Sequence, residues 1–199
     1  MNIRDLMHGV TKKKIIIYSS VVIFLILSSV LLFYLTSSKS KLAPQAQEQN
    51  KKIIGAPARL KIPAISVDAN IQYVGVNTKG EMEVPSNTID VGWFKLGPRP
   101  GDNGSAVISG HFNGADGHVG VFANLHKLKK GDKFYIKDDK GKSTTFVVKG
   151  SRIYDPGYAE EIFSRNDTAH LNLVTCDGTW DGFKKSYNKR LVVFADIAD

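Results

Sequence analysis

Short apolar and alternating runs, separated by turn residues, fill the chain from residue 57 to its end. Short runs rich in valine, isoleucine and phenylalanine are typical of β-strands, whose side chains alternate between two faces. We predict strands at 59–65, 67–76, 81–84, 91–96, 105–109, 133–137, 144–154, 171–175 and 190–197, with short helical pieces at 122–128 and 159–164. So many strands with so little helix predict an all-β sandwich or a closed barrel.

One apolar stretch is too long for a strand. Residues 15–35 form 21 consecutive positions without a charge, which is enough for a helix across a hydrocarbon core of ~30 Å. Arg4 and the lysines at 12–14 precede it, so the positive-inside rule places the N-terminus in the cytoplasm. The alternative is a cleaved signal peptide, but the run exceeds the ~7–15 apolar residues expected of one. We therefore predict a cytoplasmic segment at 1–14 and a retained transmembrane anchor at 15–35, with the rest outside the cell.

A polar segment separates the predicted anchor from the strands. Residues 36–56 are rich in glutamine, serine and lysine, and they contain too few apolar residues for a packed core. This composition predicts an extracellular linker. Residues 57–199 then form the folded domain.

The net charge of +8 mostly reflects this arrangement. Residues 1–41 hold six Lys or Arg and one Asp, which leaves 21 Lys or Arg against 18 Asp or Glu in the other 158 residues. The sequence has no basic stripe interleaved with aromatic residues, so we predict no nucleic-acid partner. It also lacks glycine-rich phosphate loops and C-x-x-C pairs, which leaves nucleotide binding and structural zinc without support.

The single cysteine, Cys176, ends the predicted strand 171–175. The Asp-Gly pair that follows indicates a turn, so the thiol is predicted where a rigid strand meets a loop. A lone cysteine outside the cell cannot form an internal disulfide, and an exposed idle thiol is a liability in an oxidising compartment. Three interpretations are open: a buried core residue, a disulfide with another molecule, and a nucleophile.

Cysteine catalysis also needs a nearby imidazole. His111 ends the predicted buried strand 105–109, much as Cys176 ends its own strand, and it is the best-placed base. The alternative is a histidine that only caps a strand. The other four histidines are less well placed. His8 falls in the cytoplasmic segment, His118 in a glycine-rich loop and His126 on a solvated helical face. His170 lies some ~20 Å from Cys176 along the same strand.

A nucleophilic thiol further needs a donor for the developing oxyanion. Arg190 begins the last predicted strand, and its permanent charge and several N–H donors suit this role. A surface salt bridge is the alternative. Asp177 and Asp181 lie close to the thiol in the sequence, and negative charge disfavours the thiolate. Unless His111 and Arg190 outweigh these acids, we expect a small thiolate–imidazolium population at neutral pH and slow turnover.

Together these features resemble the sortase family, the cysteine transpeptidases of monoderm bacterial surfaces. The family motif Leu-x-Thr-Cys is matched by Leu173, Thr175 and Cys176, the family histidine by His111 and the family arginine by Arg190. The separations are family-like, with 65 positions from the histidine to the cysteine and 14 from there to the arginine. The resemblance covers roughly 57–199 and includes the fragments ARLKIP, GPRPG and GVFANL.

The resemblance implies a closed eight-stranded β-barrel that cleaves C-terminal sorting signals of the LPxTG type between Thr and Gly. It implies a thioester on Cys176, acid–base catalysis by His111, and release of the protein onto an amine of a cell-wall precursor. Arg190 would hold the oxyanion or the substrate backbone, and Thr175 would bind the substrate near the oxyanion. No cofactor is implied.

The class within the family follows from smaller fragments. VGWF, GPRPGDNG and LVTCDG are most similar to class F, with classes D and E as neighbours. No second apolar span and no lid segment are recognisable, which argues against the pilin-polymerising type. Some members bind calcium through acidic loops, but Glu81, Glu83 and Asp116 lack a convincing ligand spacing, so we predict no required metal.

Two other functions stay open from the sequence. An anchored β-domain could bind a wall component without chemistry, with Cys176 as a core residue. A thiol hydrolase could use the same three residues and release its product to water.

Overall fold

Eight β-strands form the fold. The computed structural model describes residues 26–29, 31–33, 55–114, 117–157 and 160–198. Within them the strands are β1 (Pro57–Ile62), β2 (Val67–Val74), β3 (Val91–Phe94), β4 (Gly104–Gly110), β5 (Lys133–Asp138), β6 (Ser143–Tyr154), β7 (Ala169–Asp181) and β8 (Ser186–Ile197). The same residues include short 3₁₀ helices at Pro63–Ile65, Leu125–Lys127 and Glu160–Ile162.

The strands close into a barrel in the order β1-β2-β3-β4-β7-β8-β6-β5. Two neighbouring pairs, β2–β3 and β4–β7, are parallel, and the others are antiparallel. A parallel pair needs a long crossover connection, and β4 reaches β7 through β5, β6 and their loops. The all-β closed barrel of eight strands is thereby confirmed, and the sandwich alternative is wrong.

Side-chain alternation divides β7 and β8 between an inner and an outer face. Leu171 and Leu173 of β7 lie in the barrel core, where they meet residues from the other strands that include Leu191 and Val193 of β8. The residues between them face outward. A second apolar cluster lies on that outer face and is built on Val107, Ile162 and Val192.

The β7–β8 hairpin is longer than the sequence pattern predicts. Strand β7 continues past Cys176 to Asp181, and β8 begins four residues before Arg190. The Asp-Gly pair predicted as a turn is instead a bulge, because the register shifts between Asp177 and Trp180 and Gly178 has a φ of 81°. Glycine adopts this left-handed conformation readily, and a glycine bulge lets a strand continue beyond it. The prediction that Cys176 and Arg190 stand at strand ends is therefore wrong.

Two smaller predictions also change. Residues 81–84 form no strand, and the pairing there is a single bridge between Val76 and Met82. Pro85 follows and cannot donate to a sheet. The helical piece at 122–128 reduces to one 3₁₀ turn, in which the N–H groups of 123, 125 and 127 bond to carbonyls three residues back. A segment this short does not nucleate an α-helix.

The predicted cytoplasmic segment 1–14 lies outside the described residues, and so do most of the predicted anchor 15–35 and of the linker 36–56. Residues 26–29 and 31–33 are helical. Among the residues described, no helix has both the length and the apolar character needed to span a bilayer.

Candidate active site

Strand register brings Cys176, Arg190 and His111 together. Cys176 of β7 lies directly opposite Arg190 of β8, and residues opposite each other in an antiparallel pair share a face. Strands β4 and β7 run parallel, with Ser109 opposite Val174. His111 and Cys176 each follow two residues later, at the same end of two strands that lie ~4.8 Å apart. All three side chains therefore belong to the outer face of the barrel.

Cys176 is a free thiol that is only partly buried. Burial raises the pKa of this thiol above its ordinary value, and the guanidinium of Arg190 lowers it by a smaller amount. This direction agrees with the small thiolate population expected from the sequence, but its main cause is desolvation of the thiol and not the acidic neighbours.

His111 is held by two backbone contacts. Its ring Nε2 lies 2.8 Å from the carbonyl oxygen of Pro85, and its own carbonyl accepts a hydrogen bond from the N–H of Phe122 at 2.9 Å. The chain also passes very close at Gly120, where an added Cβ would lie 2.2 Å from the carbonyl oxygen of His111. Only glycine fits there, so the sequence fragment GVF serves to bring the 120–122 segment against His111.

Arg190 is anchored through one terminal nitrogen. Its Nη1 donates to the carbonyls of Tyr187 and Lys189, each at 2.8 Å. A guanidinium carries five N–H donors, and these two bonds use the two donors on Nη1. Because the group is planar and rigid, the same bonds also fix the directions of its other three N–H donors. Arg190 also lies opposite Tyr154 of β6, which makes a row of Cys176, Arg190 and Tyr154 across three neighbouring strands.

Thr175 points away from this row. It is 4% exposed, and its hydroxyl donates to the carbonyl of Gly110 at 2.8 Å. The side chain thus joins β7 to the end of β4 from the inside of the sheet. The hydroxyl is thus occupied within the fold, where it fixes the spacing between the strands that carry Cys176 and His111. A contact between substrate and the Thr175 backbone stays a prediction.

An apolar wall borders the row on one side. The second apolar cluster there gathers Met82, Phe94, Tyr154, Phe163, Val174 and Phe194 around its buried centre. Glu161, on the short helix before β7, accepts hydrogen bonds from Arg152 and from the hydroxyl of Tyr154. These contacts hold the helix against the barrel. This wall is not recognisable in the sequence, because the six residues named come from six separate segments.

His170 lies away from the site, as expected from its place at the other end of β7. It is 2% exposed, and its ring nitrogens Nδ1 and Nε2 lie 2.6 Å from Asp196 and 2.7 Å from Asp167. Arg165 also pairs with both carboxylates. His170 therefore ties the segment before β7 to β8 and is fully engaged in doing so.

This cluster predicts an acid-sensitive contribution to stability. The hydrogen bond from His170 lowers the pKa of Asp167 from 3.8 to about 2. A depressed carboxyl pKa stabilises the fold above the unfolded value, and the contribution is lost as pH falls through the window from 3.8 toward 2. We expect Asp167→Asn to flatten the loss of stability across this window, measured as the denaturant midpoint at a series of pH values. Asp155→Asn, which removes another exposed carboxylate, is the control; an acid limb equally steep in wild type and Asp167→Asn would contradict the prediction.

Metal ligands do not gather in the part of the chain that is described: no group of three or more His, Cys, Asp or Glu there is arranged to hold an ion. Of the acidic residues considered earlier, Glu83 accepts a hydrogen bond from the N–H of Gly75 and Glu81 from the side chain of Asn77. Asp116 lies outside the described residues.

A thiol, a histidine and an arginine thus lie on one outer face of a closed β-barrel, an arrangement suited to catalysis by a cysteine nucleophile. Comparison with protein families matches residues 60–198 to the sortase domain. The chain belongs to the sortase family, and it is accordingly a cysteine transpeptidase. Comparison with proteins of curated function gave no match.

Solved sortase structures share the fold. Sortase C-1 from Actinomyces oris is 25% identical, with a TM-score of 0.56 over 71% of this chain and 73% of that one. Sortase C from Clostridium perfringens is 24% identical, with a TM-score of 0.53 over 73% and 72%. A lid mutant of sortase A from Corynebacterium diphtheriae is 22% identical, with a TM-score of 0.57 over 76% and 75%. The last two likenesses are evidence of fold alone.

Proposed function

We propose that this sortase cleaves LPxTG-type sorting signals between Thr and Gly and transfers the upstream protein to an amine of a cell-wall precursor, while anchored to the membrane by 15–35. The alignment of Cys176, Arg190 and His111 on one outer face is the observation that carries the proposal. The apolar wall beside them supports it, because an extended peptide with apolar residues needs such a surface. The fragment similarities noted above favour class F.

The first half-reaction forms the thioester. The Cys176 thiolate attacks the carbonyl carbon of the signal threonine, and the carbonyl oxygen becomes an oxyanion that Arg190 stabilises. When the intermediate collapses, the bond from this carbon to the glycine nitrogen breaks. His111, as imidazolium, gives its proton to that nitrogen, and the glycine peptide leaves.

The second half-reaction reverses these roles. The incoming amine attacks the thioester carbon and passes a proton to His111, and the bond to sulfur breaks to restore the thiolate. Because burial raises the pKa of Cys176, only a minor fraction of the enzyme carries the thiolate at neutral pH. Slow turnover follows from this, and because the thiolate and the imidazolium must be present together, we expect a bell-shaped dependence of the rate on pH.

A mass spectrum of the trapped intermediate tests the proposal. Full-length protein in detergent is exposed to a panel of LPxTG-type peptides, with and without oligoglycine. The proposal expects a mass increase on Cys176 and, with amine present, a ligated product; protein first blocked with a methanethiosulfonate is the matched control. Only hydrolysed product across several amines would indicate a thiol hydrolase, and an unreactive thiol with no adduct would indicate a binding domain.

Replacing Arg190 should slow the reaction and reduce the fraction of Cys176 that is ionised to the thiolate. For Arg190→Gln we expect a loss of about 10²–10³-fold in kcat/KM, the usual effect of removing one oxyanion donor. Alkylation of Cys176 at neutral pH should also slow, since Arg190 lowers the thiol pKa. Arg190→Lys keeps the charge without the planar fork, so it should restore alkylation more than turnover. A variant with unchanged alkylation and turnover would remove Arg190 from the mechanism.

A further inference from the structure

The contact between His111 and Pro85 decides which ring nitrogen exchanges a proton. A carbonyl oxygen can only accept a hydrogen bond, so the Nε2 atom 2.8 Å from it carries a hydrogen. The nitrogen that gains and loses a proton is then Nδ1. A hydrogen bond to one imidazole nitrogen commonly fixes the tautomer and the ring orientation in this way.

Pro85 lies in the loop that joins β2 to β3, where one isolated bridge is the only regular strand pairing. The direction of its carbonyl is therefore not set by a sheet and depends on contacts with residues outside the loop. Support comes from Gln72 on β2, whose Oε1 accepts hydrogen bonds from the N–H and the hydroxyl of Ser86, at 3.0 and 3.1 Å. Pro85 itself is buried and packs close to Gly92 of β3.

One peptide unit connects Gln72 to His111. The N–H of Ser86 and the carbonyl of Pro85 belong to the same planar, trans peptide group, in which N–H and C=O point in opposite directions. Gln72 holds the N–H at one end, and the carbonyl at the other end meets the imidazole. Fixing the first bond therefore fixes the direction of the second.

The Gln72 amide is oriented in turn by Asp90. Its Nε2 donates to Asp90 Oδ2 at 3.1 Å, and the same oxygen accepts a bond from the side chain of Asn87 at 2.8 Å. Because the carboxylate can only accept, the amide nitrogen must face Asp90 and the amide oxygen must face Ser86. Successive hydrogen bonds in a chain of this kind polarise one another. Here the chain runs from the Asp90 carboxylate through Gln72 and the 85–86 peptide to the His111 imidazole.

We propose that Gln72 is a positioning residue for His111: through Ser86 it orients the Pro85 carbonyl, which holds the imidazole as the Nε2–H tautomer and leaves Nδ1 to exchange the catalytic proton. The role of His111 in catalysis rests on the proposed function. The tautomer and its dependence on Gln72 do not.

The test compares Gln72→Met with Ser86→Ala in full-length protein in detergent. Gln72→Met keeps the side-chain length and removes the two bonds from Ser86 and the bond to Asp90. Ser86→Ala removes only the hydroxyl bond and keeps the bond from the Ser86 peptide N–H. Histidine is labelled with ¹⁵N, and the His111 signals are assigned by their absence in His111→Asn. The imidazole ¹⁵N shifts report the tautomer, and single-turnover acylation reports the chemistry.

We expect the neutral ring to be the Nε2–H tautomer in wild type and in Ser86→Ala. In Gln72→Met we expect both tautomers, and acylation slowed about tenfold with KM unchanged, as is common when the partner of a working histidine is lost. A single Nε2–H tautomer in Gln72→Met would overturn the proposal, even with slow acylation, because Gln72 would then act on the fold alone. If wild type forms no acyl-enzyme, the proposed function fails while the ¹⁵N comparison still decides the positioning role.

Discussion

Replacement of Cys176 by alanine is expected to abolish both peptide cleavage and transfer. The sequence contains no second thiol, and water cannot replace a covalent nucleophile that must hold the acyl group until an amine arrives. Chromatography should detect neither product, and the mass spectrum should show no adduct. Cys176→Ser replaces the thiol by a hydroxyl of similar size and should be inactive as well, since a hydroxyl stays protonated where a thiol ionises.

We expect the loss of activity in Cys176→Ala to come from the missing nucleophile and not from unfolding of the domain. Cys176 is only partly buried on the outer face, so removing its sulfur should change the free energy of unfolding little. The denaturant midpoint of Cys176→Ala should therefore match that of wild type. Residual acylation in Cys176→Ala would assign the nucleophile elsewhere.

The strands were predictable where alternation and β-branched residues coincide. The run 171–175 lies within β7, where Leu171 and Leu173 fill the barrel and Val174 packs on the outer cluster. The ends of β7 and β8 were not predictable. Asp177–Gly178 is an ambiguous signal, and only the pairing with the full length of β8 makes it a bulge.

The three site residues were recognisable by type and spacing, but what joins them was not. Nothing in the local sequence at His111 or Cys176 indicates that β4 and β7 pair in parallel. Gln72 and Pro85 were missed for a related reason. The first acts through an amide and the second through a backbone carbonyl, and neither group has a residue-type signature of catalysis.

The cause of the raised thiol pKa also could not be predicted from the sequence. Asp177 and Asp181 lie close to Cys176 in the sequence, whereas the raised pKa of Cys176 follows mainly from burial. Asp181 is committed to the hairpin turn, where it accepts the N–H groups of Phe183 and Lys184. A strand neighbour such as Arg190 influences the thiol more than an acid nearby along the chain.

Replacement of His111 by glutamine should lower kcat/KM by at least about 10³-fold, because one imidazole serves as acid in the first half-reaction and as base in the second. The amide nitrogen of glutamine lies at the same distance along the side chain as the imidazole Nε2, so it can still donate a hydrogen bond toward Pro85 and the loop keeps its partner. Alanine cannot, and it leaves the buried Pro85 carbonyl unpaired at a cost of about 1–3 kcal/mol. Both variants should therefore lose activity equally, while His111→Ala alone has a lower denaturant midpoint.

This pair of variants separates proton transfer from loop support. Single-turnover acylation measures the first and unfolding measures the second, so neither result depends on the other. Added imidazole should partly restore acylation in His111→Ala, since that variant leaves space for the ring on the side facing Cys176. If His111→Gln retained a rate within about tenfold of wild type, below the usual contribution of acid–base catalysis, His111 would be a structural support for the 85–86 peptide and the catalytic proton would have another source.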